Sequence, residues 1–378
     1  MSTGGKGEVV HLVFNTFKND SRVEKTCESL ARASYSVSVW AFGGKGLPQR
    51  EEREGWEVFR FGNENRMTAL LSLAKAVLLK ASKIDVVHCN DLEPLPLGVM
   101  VKVLNFGKTR VVYDAHELET EKLAARGVRK LASKVLERCL MPFVNEMITV
   151  SEGIAGWYAD KYVGKRSRLI INAPRKTEVV DSGLLRKRLG VSDEVRVFLY
   201  LGALSAGRSV EAMLDAFVGI KAGVLAVMGS GGTSTEGRRL ERLVRERAAQ
   251  EPNLHYLEPV PRGEVVECAA SADVGLCLIE ERCLSYRYCL PNKLFEYAMA
   301  GLPLVVSDLP ELRGKVTDWG CGVVCPELTA EGIRRTVNDF SKADDGSMGA
   351  NARRMAEAYC WERQEEKLLA LYEDVFNN

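Results

Sequence analysis

The sequence predicts an α/β protein of two consecutive domains, each with a parallel, doubly wound sheet. Short apolar runs alternate with helical periodicity along the chain, beginning with VVHLVF at residues 9–14. The alternation stops between Lys176 and Ser182, where the chain is polar and aperiodic, and resumes with VRVFLYLG at 195–202. The 378 residues suffice for two separate cores.

Composition places the chain among globular proteins. It is 46% hydrophobic and 27% charged with a net charge of +1, which argues against a general nucleic-acid binder. No apolar run reaches the roughly 18 residues of a membrane span, and the N-terminus lacks the apolar core of a secretion signal. We therefore expect a cytoplasmic protein. The ten cysteines are scattered and the four histidines lie near no cysteine pair, so we expect reduced, packing cysteines and no metal site.

The elements of the first domain follow from its apolar runs. We predict strands at 9–14, 35–42, 56–61, 85–90, 110–117, from 146, and at 168–175. The first helix can be capped by Asn19, Asp20 or Ser21, and a later one by Ser151. No glycine-rich dinucleotide fingerprint follows the first strand, which weakens any NAD hypothesis.

Ligands of such sheets bind beyond the carboxyl ends of the strands. Five polar residues fall there: His88, Asp91, Asp114, His116 and Glu117. A lone histidine is usually structural, but two at successive strand ends beside carboxylates favour a functional site. The loop with Asn19, Asp20 and Arg22 is a further candidate, although it could be only a strand–loop–helix connection.

Residues 121–141 predict a helix with a cationic stripe beside an apolar one. The cations are Lys122, Arg126, Arg129, Lys130, Lys134 and Arg138, and the apolar residues are Ala124, Val128, Leu131, Val135 and Cys139. Such a helix could dock on an anionic membrane surface, or its charges could form an ordinary solvated face.

In the second domain, LYLGALSAGRSVEAML predicts a strand, a loop opened by Gly202 and Gly207, and a helix with Arg208 near its start. Close backbone approach with a guanidinium suits a diphosphate, but many such turns look alike. The strand and turn VLAVMGSGG carry Gly229 and Gly231.

The stretch from Tyr288 to Asp308 predicts a helix followed by a short buried strand. The helix begins with free amides at Asn292, an adjacent cation, Lys293, and a carboxylate one turn later, Glu296. The amides and Lys293 could bind phosphates, and Glu296 could accept hydrogen bonds from ribose. The alternative is an ordinary amphipathic helix.

Three segments, PNKLFEYAMAGLPLV, VVYDAHE and NDSRVEKTCESLA, resemble the retaining GT-B glycosyltransferases called family four or "glycosyl transferases group 1". The resemblance implies two Rossmann-like domains with a cleft between them. Residues 1–175 would form the acceptor domain, joined by a C-terminal helix at about 360–378. Residues 176–359 would form the nucleotide-sugar domain.

The resemblance also implies roles for individual residues. Glu296 matches the glutamate that binds the nucleotide ribose, while Tyr288 replaces a second glutamate of the usual motif. Ala203 and Arg208 stand where an arginine and a lysine usually contact the donor phosphates, so Lys293 would share that task. Gly229 and Gly231 match the family's Gly-x-Gly near the nucleotide. His116, with Asp114, matches the histidine close to the transferred sugar.

The implied activity is retaining, metal-independent transfer of a sugar from a nucleotide-sugar to an acceptor hydroxyl, without another cofactor. The acceptor would be a sugar, a lipid-linked molecule or a polysaccharide, and the protein could lie on the inner face of the cell membrane. Two alternatives remain. One is an epimerase or hydrolase of the same fold that uses Asp114 or Glu117. The other is an idle nucleotide-sugar-binding scaffold, suggested by Tyr288 and Ala203.

Overall fold

A computed structural model describes residues 5–18, 20–123, 126–179, 181 and 183–377. The chain divides into two compact units, Met1–Ile171 with Gln364–Asn378, and Asn172–Arg363. The first unit thus ends at Ile171, whereas the expected domain boundary followed residue 175. The chain rejoins the first unit at Gln364, whereas the expected position was about residue 360.

The described residues of the first unit form eight strands and five α-helices before the chain leaves it. The strands are β1 (Glu8–Leu12), β2 (Ser36–Phe42), β3 (Arg50–Arg53), β4 (Trp56–Phe61), β5 (Val86–Asn90), β6 (Arg110–Ala115), β7 (Glu146–Thr149) and β8 (Ser167–Leu169). The helices are α1 (Ser21–Arg32), α2 (Arg66–Lys80), α3 (Leu95–Leu104), α4 (Gly127–Leu140) and α5 (Glu152–Lys161).

These strands form one sheet in the order β3-β4-β2-β1-β5-β6-β7-β8. All neighbours are parallel except β3 and β4, which are antiparallel. The connections from β4 to β5, β5 to β6 and β6 to β7 run in one direction, so right-handed crossovers place α2, α3 and α4 on the same face. Accordingly, α2 packs on α3 and α3 packs on α4.

The second unit has a six-stranded, all-parallel sheet in the order β11-β10-β9-β12-β13-β14. Its strands are β9 (Val197–Leu201), β10 (Val224–Met228), β11 (Leu254–Leu257), β12 (Val274–Cys277), β13 (Leu304–Ser307) and β14 (Gly322–Cys325). Its helices are α6 (Leu184–Leu189), α7 (Val210–Phe217), α8 (Thr235–Gln250), α9 (Val265–Ala269), α10 (Leu284–Arg287), α11 (Asn292–Met299), α12 (Pro310–Trp319), α13 (Ala330–Ala343) and α14 (Met348–Tyr359). A last helix, α15 (Trp361–Asn377), carries the chain back to the first unit.

The predicted α/β class with two parallel sheets is confirmed. The apolar runs at 9–14 and 304–306 give the interior strands β1, which ends at Leu12, and β13, with Val9, Val10 and Val305 fully buried. Several elements differ from expectation, among them the strand expected at 168–175, which ends at Leu169. The edge strand β3 was not predicted, and the helix expected over 121–141 begins only at Gly127, after a turn of 3₁₀ helix at Glu119–Glu121. Ala124 lies outside the described residues.

Among the described helices, none combines the length and the apolar character needed to cross a membrane.

Candidate functional site

In the second unit, α11 is held against the sheet by its tyrosine. The Tyr297 hydroxyl accepts a hydrogen bond from the Leu201 amide at 2.6 Å and donates to the Leu276 carbonyl at 3.3 Å. Gly275 makes room for the ring, because a Cβ there would lie 2.4 Å from it. These contacts fix the N-terminus of α11 beside the carboxyl ends of β9 and β12. Asn292 and Lys293, its first two residues, keep the free amides typical of a helix start.

The ammonium group of Lys293 is buried and has no hydrogen-bond partner among the described residues. Its Nζ lies 3.9 Å from the centroid of the buried Tyr200 ring, a cation–π contact that offsets only part of the lost hydration. Burial, together with the nearby charge of Arg208, lowers the pKa of Lys293 to about 8. A buried ammonium without a hydrogen-bond acceptor is unfavourable, so the position suits an anionic ligand.

A glycine turn packs beside this ammonium, and a second glycine turn packs against the first. Gly202, at φ 120°, follows β9, and a Cβ on it would lie 3.7 Å from Cε of Lys293. A Cβ on Gly229 would lie 2.0 Å from the carbonyl oxygen of Gly202, and one on Gly231 would lie 2.1 Å from that of Gly237. Gly229 is therefore required where the loops after β9 and β10 touch backbone to backbone, and Gly231 where the second loop touches the first turn of α8.

Arg208 lies on the same loop as Gly202, just before α7. Its guanidinium carbon is 5.2 Å from the centroid of the Tyr286 ring, and it forms no ion pair within the described ranges. Glu296 is half-buried one turn after Lys293, and its charge acts on that lysine. Tyr288 follows α10 with its ring 6.0 Å from the Arg287 guanidinium. The structure thus gathers Gly202, Arg208 and Glu296 around Lys293.

In the first unit, a buried ion pair anchors the strand ends. Nε and Nη2 of Arg22 each donate to a carboxylate oxygen of Asp114 at 2.8 Å, and Nη1 donates to the Ile170 carbonyl at 2.9 Å. Burial would raise the pKa of Asp114, but Arg22 and His116 hold it well below its usual range. All three nitrogens of the guanidinium thus donate inside the protein, and the side chain is only 4% exposed. The expectation that Arg22 contacts a phosphate or an acceptor is wrong.

His88 belongs to the same buried cluster. Its Nδ1 lies 2.7 Å from the Tyr372 hydroxyl of α15, and its Nε2 lies 3.4 Å from Asp114 Oδ2. The His11 ring stacks on it at a centroid distance of 4.3 Å. Because His88 is completely buried, it cannot contact an acceptor as expected. Sequence reasoning missed the roles of His11 and Tyr372, since a strand histidine and a distant helical tyrosine give no local signal.

His116 is the member of the cluster that reaches the surface, with 22% of its side chain exposed. Its Nε2 lies 3.4 Å from Asp114 Oδ2 and its Nδ1 lies 3.6 Å from Asp91 Oδ1. Burial alone would lower the pKa of His116, but Asp91 and Asp114 outweigh it and raise the pKa to about 9. His116 is therefore a cation at neutral pH. Asp91 adopts φ 73°, an uncommon conformation that is often found at functional sites.

A pocket of about 130 Å³ opens beside His116. Its lining consists of Val13, Phe14, Asn15, Asp20, Asn90, Asp91, Glu93, Pro94 and His116. Asp20 also caps α1, accepting from the Val23 amide at 3.2 Å. The carboxylates and amides suit the hydroxyls of a sugar better than a phosphate. Asn19, also expected in this loop, lies outside the described residues.

Within the described part of the chain, no three His, Cys, Asp or Glu side chains are grouped so that they could hold a metal ion. All ten cysteines are free thiols.

Two consecutive units with doubly wound, largely parallel sheets match the architecture of the GT-B class. Sucrose-phosphate synthase from Thermosynechococcus elongatus superposes with a TM-score of 0.80 at 17% identity, over 98% of this chain and 99% of that one. HepE from Anabaena, in complex with UDP-glucose, gives 0.75 at 14% identity, over 97% and 99%. WaaG, a glycosyltransferase involved in lipopolysaccharide biosynthesis, gives 0.69 at 17% identity, over 95% and 98%. These similarities establish the fold.

Sequence comparison identifies the family. The family model for Glycosyltransferase Family 4 matches residues 21–173, and the model for Glycosyl transferases group 1 matches residues 195–341. The chain therefore belongs to the GT-B glycosyltransferases of this family, as its motifs indicated. D-inositol 3-phosphate glycosyltransferase from Geodermatophilus obscurus is 28% identical over 225 residues. That match spans 53% of this chain and about half, 47%, of the relative.

Proposed function

We propose that this protein transfers a sugar from a nucleotide-sugar donor to an acceptor hydroxyl with retention of configuration. The observation that carries the proposal is the buried ammonium of Lys293 at the start of α11, which has no hydrogen-bond partner in the part of the chain that the structure describes. A nucleotide diphosphate would supply the missing anion. Arg208 and the first amides of α11 would donate further hydrogen bonds to its oxygens. Relatives of the same fold support this assignment, since HepE was solved with UDP-glucose.

The same groups account for catalysis without a metal ion. Negative charge develops on the diphosphate as its bond to the sugar breaks, and Lys293 and Arg208 would stabilise that charge from fixed positions. Glu296, three residues after Lys293 on the same helix face, would accept hydrogen bonds from the ribose hydroxyls. Chelation of divalent metals should therefore leave the turnover rate unchanged.

In the first unit, His116 would act on the transferred sugar. Its imidazolium, or its backbone carbonyl, would contact a sugar hydroxyl, and the adjacent pocket would admit the acceptor hydroxyl. Asp114 is buried behind His116 and does not reach that pocket's lining. We therefore assign Asp114 as a positioning residue that holds His116 in place and keeps it protonated. Retention of configuration is inferred from the family.

Nucleotide binding is the first test. A thermal-shift panel of UDP, GDP, ADP, dTDP and their sugars should give a rise of several degrees with one nucleotide. The rise should be lost in Glu296→Ala but kept in Glu246→Ala, an exposed glutamate on α8 of the same unit. Stabilisation by none of these compounds would overturn the proposal.

Turnover of the identified donor then separates the remaining alternatives. A transferase consumes the nucleotide-sugar faster when an acceptor is added, and the amount of released nucleotide equals the amount of glycosylated product. An epimerase or hydrolase turns the donor over equally well without an acceptor, and an idle scaffold binds it without turnover. A lipid-linked or polysaccharide acceptor is the proposal to test first, on a membrane extract and on purified oligosaccharides.

A further inference from the structure

Helix α4 presents its apolar residues to solvent. Of its 14 residues only Glu137 is buried. Leu131 and Val135 are 63% and 54% exposed, and Val128 and Leu136 are exposed beside them. Spacings of three, four and five residues place these four side chains on one face of the helix. An amphipathic helix of a globular domain normally turns that face inward.

The orientation of α4 is fixed by the acid that it buries. The Glu137 carboxylate accepts hydrogen bonds from the Tyr158 hydroxyl at 2.8 Å, the Tyr162 hydroxyl at 2.6 Å and Lys161 Nζ at 2.9 Å, all on or next to α5. If α4 were rotated so that its leucines and valines were buried, this carboxylate would lose three hydrogen-bond donors. The outward position of the apolar residues is therefore a stable property of the fold.

The exposed apolar surface continues across the neighbouring helices. Helices α2, α3 and α4 pack side by side on one face of the sheet. Phe106, just after α3, is 92% exposed. In the described part of the chain, 12 of the 15 large exposed hydrophobic residues lie on this layer or on its end turns. They are Met67, Leu71, Leu78, Leu79, Val103, Leu104, Phe106, Val128, Leu131, Val135, Leu136 and Phe143.

This concentration marks an interaction surface, since scattered single hydrophobic residues are the norm on proteins. We define the outward side of α2, α3 and α4, with their end turns, as the apolar face.

The cations around the apolar face indicate the chemistry of its partner. Lys130 and Lys134 are bound to the buried carboxylate of Glu121, at 2.5 and 2.7 Å, so they are not available. Arg129 and Arg138 are exposed at the edges of the α4 apolar stripe, and neither forms an ion pair within the described residues. On α2, Lys75 lies exposed between the leucines. The free charge at this surface is therefore positive.

We propose that the apolar face docks on the surface of an anionic phospholipid bilayer. The leucine, valine and phenylalanine side chains would enter the boundary between headgroups and acyl chains, while Arg129, Arg138 and Lys75 contact lipid phosphates. Docking would place the first unit beside an acceptor that is embedded in the membrane. The lipid-linked acceptor of the proposed function would lie in that membrane, and in this respect the docking rests on the proposed function. The docking itself is measured without donor or acceptor, so the two proposals can fail separately.

Vesicle sedimentation of the full chain tests the proposal. The protein should bind vesicles of phosphatidylcholine with phosphatidylglycerol at least tenfold more tightly than phosphatidylcholine alone, and half-molar salt should weaken the binding. The double variant Leu131→Asp/Val135→Asp should lose at least tenfold in binding. The control Leu184→Asp changes a 37% exposed leucine on α6, in the second unit, and should bind like wild type.

Charge-reversal variants test the contacts with lipid phosphates independently of the apolar residues. Arg129→Glu and Arg138→Glu should each weaken binding about fivefold, as expected for single basic residues near an anionic surface. Arg188→Glu, an exposed arginine on α6, should have no effect. All changes are at exposed positions, and unchanged melting temperatures would verify folding.

Absence of vesicle binding by the wild type would overturn the proposal. So would equal binding by wild type and the Leu131→Asp/Val135→Asp variant. Self-association of the wild type in sedimentation velocity, abolished by the same double variant while vesicle binding persists, would show that a second copy covers the apolar face instead.

Discussion

Replacing Lys293 with methionine should make the free protein more stable and, at the same time, abolish its response to nucleotide. In the folded chain the ammonium is buried without a hydrogen-bond partner among the described residues, and its pKa is lowered from 10.5 to about 8. That difference corresponds to roughly 3 kcal/mol of unfavourable free energy at neutral pH. Methionine keeps the length of the stem and removes the charge. We therefore expect a gain of about 1–3 kcal/mol, or a few degrees in melting temperature.

The dependence on pH has a definite sign. Because the pKa of Lys293 is lower in the folded than in the unfolded state, the unfolded chain binds more protons between about pH 8 and pH 10.5. The penalty is complete below about pH 8, and it is relieved as the pH rises from there towards 10.5. The advantage of Lys293→Met over wild type should therefore shrink across that interval. Nucleotide affinity of the wild type should fall across the same interval, starting near pH 8.

Thermal unfolding at pH 7 and pH 9.5, with and without the stabilising nucleotide, checks this reasoning. Nucleotide at about 100 times its dissociation constant adds about 2.7 kcal/mol to the wild type and should add nothing to the variant. Lys315→Met is the control, since Lys315 also lies over a tyrosine ring but donates to the Tyr359 hydroxyl at 3.1 Å. It should respond to nucleotide like wild type and gain no stability. A destabilised Lys293→Met would refute the claim that the charge is uncompensated.

Three further outcomes follow from the geometry. Asp114→Asn should lower the free energy of unfolding in urea by about 3–5 kcal/mol, because it leaves the buried Arg22 without its counter-charge. In the same variant, NMR titration should find the pKa of His116 below its value of about 9, since Asp114 helps to raise it. The stability that the His116 charge provides in wild type is complete below pH 6.5 and is lost as the pH rises through about 9. Gly229→Ala should impair nucleotide binding, because its Cβ would lie 2.0 Å from a neighbouring carbonyl oxygen. Gly314→Ala, with open space around it, should not.

Much of the fold could be predicted because buried parallel strands are apolar on both faces and stand out in the sequence. The edge strand β3 was missed for the converse reason. Its sequence, REER, has no apolar alternation, and it pairs on one side only, with β4. Helix α4 shows a second limit. Its amphipathic pattern predicts a helix but not which face points outward, and that choice depends on Glu137 and its partners on α5.

The candidate site was predictable where its residues are neighbours in sequence. Asn292, Lys293 and Glu296 share one helix, so local spacing placed them together. The role of Arg22 was not predictable, because its partner Asp114 lies 92 residues away. At the sequence level an arginine at a helix start suits a phosphate, and only the tertiary structure shows that Arg22 is buried and that each of its three nitrogens already donates within the protein.

The two polar clusters differ in how their charges are compensated, and this difference bears on function. The Arg22–Asp114 pair is complete within the first unit, so folding alone can assemble it, and His116 is the exposed member of its cluster. The ammonium of Lys293 has no hydrogen-bonded counter-charge among the described residues, and a buried charge that destabilises the folded state persists where activity requires it. The Arg22–Asp114 pair can be retained for structural reasons alone, whereas the buried charge of Lys293 cannot. The unfavourable free energy at Lys293 is therefore the strongest physical reason to place an anionic ligand in the second unit.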